Sequence, residues 1–193
     1  MAQGILPFQY EVEQRDGGMT AMAGLPLYLE LAHVMGLPRL IAEHVQARNG
    51  EQGWTDEQMI MALILLNLAG GDCVDDLRVL EGDEGFCRVL RELEVYGRTR
   101  SEKRALARRW RKQRTRTFPS PTSIREYLEL FHDREQEDLR APHEAFIPEP
   151  SQLLTALVRL HGAFAAAMQR RSVQTTATLD MDATLVETFK KAA

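Results

Sequence analysis

Thr55-Asp56-Glu57-Gln58-Met59-Ile60-Met61-Ala62-Leu63-Ile64-Leu65-Leu66-Asn67-Leu68 is the stretch on which the fold of this chain turns. Thr55 and Gln58, three residues apart, make a capping box. In that motif a hydroxyl and an amide each satisfy a backbone N–H that the first helical turn leaves orphaned. Beyond the cap the helix is apolar almost all round: Met59, Ile60, Met61, Leu63, Ile64, Leu65, Leu66 and Leu68. A helix without a polar face belongs in the middle of a core, so other elements must wrap it. Gly70-Gly71 ends it, because glycine accepts the left-handed conformation of a helix terminus.

Outward from this helix, the pattern stays helical. Leu25 to Met35 reads as a helix broken by Gly36-Leu37-Pro38, and a second runs from about Pro38 to Ala47. Asn49-Gly50 and Gly53 mark the loop before Thr55. Asp72 reads as the N-cap of a short helix with Val74, Leu77 and Leu80, and a further short turn or helix holds Phe86, Val89 and Leu90. Ser120-Pro121 is a cap followed by proline at the first helical position, where its missing N–H costs nothing. Ile124, Tyr127, Leu128 and Phe131 then form one stripe at i, i+3, i+4, i+7. Pro142, Pro148 and Pro150 place a loop over 140–150, and Ser151 caps a long helix carrying Leu154, Leu157, Val158, Phe164 and Met168 on one side.

Two stretches have a period of two. Phe8–Glu13 alternates apolar and polar and ends at the turn Asp16-Gly17-Gly18. Thr178–Leu185 alternates strictly: Leu179, Met181, Ala183 and Leu185 face one way, and Thr178, Asp180, Asp182 and Thr184 the other. Both stretches read as strands. The expected fold is therefore mainly α, with a helical region over 1–172 and the first β-strand of a second unit over 173–193.

The 193 residues suffice for a sizeable core. At 44% hydrophobic and 27% charged residues, the chain is neither a fibrous nor a wholly disordered one. Two cysteines, Cys73 and Cys87, with no CxxC, exclude a disulfide-dense scaffold and speak against zinc. His33, His44, His132, His143 and His161 have no metal-ligand spacing. No phosphate-cradling glycine loop and no GxSxG elbow is present. Met1–Pro7 lacks the basic-then-apolar pattern of a signal peptide, and the longest apolar run, Met59–Leu66, is too short to span a bilayer. The expected location is cytoplasmic, with no membrane partner.

The net charge of −4 conceals an asymmetry. Arg98, Arg100, Lys103, Arg104, Arg108, Arg109, Arg111, Lys112, Arg114 and Arg116 are ten cations opposed within 98–116 by Glu102 alone, a local net of +9 that leaves −13 elsewhere. From Ser101 the block reads as a basic helix with Leu106 and Trp110 as its apolar positions, Trp110 being a packing anchor. Such a block attracts a polyanion, and phosphate contact makes binding salt-dependent. The plainer reading is a solvated helix face, though such faces ordinarily mix their signs. Arg125, on the Ser120 helix, is a further candidate for DNA contact, and the helix pairs around Thr55–Leu80 are compatible with helix-turn-helix modules or with core packing alone.

The acidic strand is the second candidate. Asp180 and Asp182 lie on one face, roughly 7 Å apart from the strand rise. Two like charges so placed call for a cation, and hard oxygen ligands suit Mg²⁺. The alternative is a solvated acidic strand edge.

Leu179-Asp180-Met181-Asp182-Ala183-Thr184-Leu185-Val186-Glu187 resembles the first catalytic strand of the DDE transposases of bacterial insertion sequences. In that family a strand opens an RNase H-like domain and presents an Asp followed by a small residue and Thr, the pattern of Asp182-Ala183-Thr184. Upstream, Gly24-Leu25-Pro26-Leu27, Gly70–Leu80 and Pro119–Arg125 resemble the helical DNA-contacting part of these enzymes. The resemblance extends over nearly the whole chain and implies metal-dependent strand cleavage and transfer at transposon ends. It makes Asp182 a catalytic residue and Mg²⁺ ligand, with Asp180 as the fallback. It implies double-stranded DNA as partner, self-association on DNA, and a nucleoid-associated bacterial protein. The family's second Asp and its Glu come well after the first strand, whereas this chain ends at Ala193, eleven residues past Asp182. The expectation is thus a truncated, inactive N-terminal portion, since two-metal chemistry needs carboxylates from separate elements. Two alternatives stand beside it: a non-catalytic DNA-binding protein using the basic helix, and a helical protein whose basic face meets an acidic partner.

Overall fold

The computed structural model describes residues 19–110, 112–139, 141, 146–171 and 176. All the regular elements among them are helical, so the mainly α expectation holds there. The two expected strands, Phe8–Glu13 and Thr178–Leu185, lie outside the described residues.

Helices α1 (Leu25–Val34) and α2 (Leu37–His44) are joined by Gly36 at φ +75°. That left-handed conformation is open to glycine at little steric cost, and it folds α2 back against α1. α3 (Asp56–Leu68) begins at the capping box read from the sequence: Gln58 N–H donates to Thr55 Oγ1 at 3.2 Å, and Thr55 N–H donates to Gln58 Oε1 at 3.0 Å. Met59, Ile60, Ala62, Leu65 and Leu66 are buried, with Met61, Leu63 and Ile64 half-buried against the same core. α3 is the central helix that its all-round apolarity demands.

The glycine pair after α3 closes it by a Schellman turn. Gly71 N–H reaches Leu66 O at 2.9 Å and Gly70 N–H reaches Asn67 O at 3.0 Å, with Gly70 at φ +78°. The next element corrects the Asp72 cap. Asp76 caps backwards, its Oδ2 accepting from Asp72 N–H at 2.9 Å and Cys73 N–H at 3.1 Å. These backbone donors hold the Asp76 carboxyl below its ordinary range. A 3₁₀ turn, Val74–Asp76, leads into α4 (Leu77–Gly82), which buries Leu77 and Leu80. The short turn or helix expected around Phe86 is a helix, α5, and a longer one, over Glu84–Val95. Its cap, Asp83, also takes hydrogen bonds from the Thr20 hydroxyl and Ala21 N–H at 2.9 and 2.8 Å, tying residues 20–21 to the body.

α6 (Arg100–Arg108) and α7 (Pro121–Glu129) come next, then a single turn, α8 (Arg134–Glu137), and the long α9 (Gln152–Arg171). In the α7 stripe Ile124, Tyr127 and Phe131 are buried, while Leu128 is exposed. The Tyr127 hydroxyl donates to Asp56 Oδ1 at 2.8 Å, and burial with this bond pushes its pKa up. Ser151 does cap α9, accepting from Leu154 N–H at 3.2 Å. The expected stripe of α9 is rotated, however. Leu160 is buried, with Leu153, Leu157 and Phe164 against the core, whereas Leu154, Val158 and Met168 face outward. Both ridges are apolar, and packing of α9 against α2 selects one of them.

Candidate nucleic-acid interface

The cationic segment does not form one continuous helix. α6 ends at Arg108, and the chain from Arg109 onward is held by tertiary contacts instead. Arg109 grips the 50–53 loop: Nε donates to Gly53 O at 2.8 Å, Nη2 to Gly50 O at 2.9 Å, and Gly53 N–H returns a bond to Arg109 O at 2.9 Å. Trp110 meets Trp54 edge to face with centroids 4.9 Å apart, which makes it the packing anchor expected. These contacts pull the backbone off the helix axis, and helix propensity is too weak a term to resist them.

Nine of the ten cations are among the described residues, and they divide into two groups. Arg98 donates from Nη2 to both carboxylate oxygens of Glu57, at 3.1 and 3.0 Å, and from Nε to Glu94 O. Arg114 is clamped bidentately by Glu94, both side chains being 15% exposed, and lies over the rings of Trp54 and Trp110 at 5.1 and 5.7 Å. Arg116 donates Nε to Phe118 O at 3.2 Å, and its Nη2 is buried. With Arg109, four of the ten are thus committed to holding the fold. Arg111 lies outside the described residues. Arg125 is paired with Asp75, so this candidate's charge is partly answered at the surface.

The second group is unpaired among the described residues. Arg100, Lys103, Arg104, Arg108 and Lys112 are exposed, and none makes an ion pair; Arg108 only touches its own helix, at Arg104 O. At about 100° per residue, Arg100, Arg104 and Arg108 form one row along α6. Thr99 and Glu102 make a second capping box, which was not among the expected helix starts. Thr99 N–H donates to Glu102 Oε2 at 2.6 Å and the Thr99 hydroxyl at 2.7 Å. The hydroxyl and backbone bonds from Thr99 hold the Glu102 carboxyl below its ordinary range. The one acid of the segment is thus turned to the helix N-terminus, where its charge complements the dipole, and away from the arginine row.

Beside the row lies a cleft of about 490 Å³, bounded by Lys103, Leu106, Ala107 and Trp110 of α6 and its extension, Arg91, Glu94 and Val95 of α5, and Lys112, Gln113 and Arg114. Arg91 brings a cation from outside the 98–116 block; it binds Thr117 Oγ1 at 2.8 Å and Thr115 O at 2.7 Å and fastens the strap 109–117 to α5.

Asp180 and Asp182 lie outside the described residues. Among the described residues no group of three or more His, Cys, Asp or Glu is placed to hold a metal ion, and none of their helices is long and apolar enough to cross a membrane. Comparison with protein-family models, curated proteins and solved structures finds no match.

Proposed function

We propose that this chain binds double-stranded DNA through the exposed row Arg100, Arg104 and Arg108, with Lys103 and Lys112 beside it, as the helical DNA-contacting part of a DDE transposase. The observation that carries the DNA contact is the sorting of the cations. Arginines that the fold uses reach acids or carbonyls in other elements, whereas Arg100, Lys103, Arg104 and Arg108 of α6 and Lys112 just past it are exposed and meet no acid, Arg108 touching only a carbonyl of its own helix. A solvated face normally offsets such charge with nearby acids, and here the single acid is engaged in the cap.

The catalytic part of the reading rests on the likeness of Leu179–Glu187 to the first strand of that family. Asp182, with Asp180 as fallback, would hold Mg²⁺, which would supply the positive charge that polarises a phosphodiester and activates the attacking oxygen.

The test is duplex binding by fluorescence anisotropy. Arg100→Gln/Arg104→Gln/Arg108→Gln is expected to weaken binding strongly with an unchanged circular-dichroism melt, since α6 buries no side chain. Equal binding by the triple variant removes the proposal. Binding to an acidic protein with no affinity for duplex DNA replaces it with an interaction-protein reading.

A further inference from the structure

We infer that the cleft beside the arginine row receives an unpaired nucleotide of the bound DNA, at a strand end or bulge; this rests on the DNA-binding reading above. Three observations converge. The cleft volume, about 490 Å³, suits a nucleotide, within the several hundred Å³ usual for small-molecule sites. Its walls are of two kinds: Leu106, Ala107, Val95 and Trp110 supply apolar surface for a base, and Lys103 and Lys112 supply unpaired charge for a phosphate. The Gln113 amide, exposed and without a partner among the described residues, offers a donor and an acceptor to a base edge. Glu94, the one carboxylate in the lining, is neutralised by Arg114 and does not repel a phosphate.

The placement matters as much as the lining. Lys103, Leu106 and Ala107 succeed one another at i, i+3, i+4 and so share a side of α6, and Trp110 follows just past its end. That side lies roughly a third of a turn from the row Arg100, Arg104, Arg108. DNA held by the row would run past the mouth of the cleft, within reach of a base that is not paired. Sequence-tolerant seating of single bases on apolar and aromatic walls is a general mode of nucleic-acid binding.

The experiment compares a blunt duplex with the same duplex carrying a short single-stranded extension, with 2-aminopurine in the extension. The extended duplex is expected to bind about tenfold tighter, and the 2-aminopurine emission to change on binding. Ala107→Phe fills the cleft from an exposed position and is expected to erase the preference and the emission change while blunt-duplex binding persists. Gln113→Ala is expected to reduce the preference in the same direction. Equal affinity of the wild type for both DNAs overturns the inference and leaves duplex binding intact. A preference that survives Ala107→Phe also overturns it. Binding of neither DNA removes the duplex reading and this inference with it.

Discussion

The salt dependence of DNA binding separates the cations the fold has used from those it has left free. Each phosphate neutralised on duplex DNA contributes about −0.9 to the slope of log K against log[salt]. The five unpaired cations, Arg100, Lys103, Arg104, Arg108 and Lys112, therefore set a slope of about −4.5 if all reach phosphates. Binding then falls about 500-fold between 50 and 200 mM salt. If all ten cations of the segment acted, the slope would be about −9 and the loss about 3 × 10⁵-fold. Arg111 would add about −0.9 to the smaller figure. The assay is anisotropy of a labelled duplex over a salt series at fixed pH. Replacing Arg100, Arg104 and Arg108 by Gln is expected to reduce the slope by about 2.7. Arg98→Gln and Arg114→Gln, whose charges already face Glu57 and Glu94, are expected to leave it unchanged. A slope near −9, or one that Arg98→Gln or Arg114→Gln lowers as much as the α6 variants do, refutes the sorting. A flat line refutes phosphate contact altogether.

Three further outcomes test the frame that presents α6. Glu94→Ala strands Arg114 at 15% exposure and is expected to cost about 3 kcal/mol in urea unfolding; Arg114→Ala should cost a similar amount, and the double variant clearly less than the sum, whereas additive losses exclude the coupling. Burial raises the Asp83 carboxyl, but donation from Phe86 N–H, the Thr20 hydroxyl and Ala21 and Met22 N–H outweighs it and leaves its pKa lowered. A lowered folded pKa gives stability that is whole above the ordinary carboxylate range and is lost as pH falls through the folded value, so the unfolding gap between wild type and Asp83→Ala, about 1 kcal/mol near neutrality, should close in acid; a gap that stays constant throughout acid titration contradicts this. A Cβ on Gly71 would overlap Leu66 Cδ1 and lie 3.0 Å from Cγ, so Gly71→Ala is expected to destabilise by about 1–3 kcal/mol, and an unchanged melting temperature would show that Leu66 yields freely.

Legibility tracks the range of the interaction. Helix starts set by neighbours three residues apart, Thr55 with Gln58 and Ser120 behind Pro121, read correctly because the cap and its target belong to one local motif. Thr99 with Glu102 carries the same signal, obscured by the surrounding arginines. Asp72 as a cap fails because the turn begins one residue later, at Cys73, and Asp76 reaches back to accept from the N–H groups of Asp72 and Cys73. The face of α9 is legible only in part: Leu157 and Phe164 of the expected stripe pack on the core, but Leu154, Val158 and Met168 do not, since neighbouring ridges of similar hydrophobicity compete and the choice belongs to α2.

Capped helices around an apolar α3, and a positive charge concentrated between residues 98 and 116, are already written in the order of the residues. Which of those charges remain available depends on long-range packing. The acids that bind Arg98 and Arg114 lie 41 and 20 residues away, and the loop that Arg109 grips lies more than 50. Charge counts are additive along a chain, but pairing depends on which side chains the fold brings within hydrogen-bond reach, and that depends on the packing of the whole core.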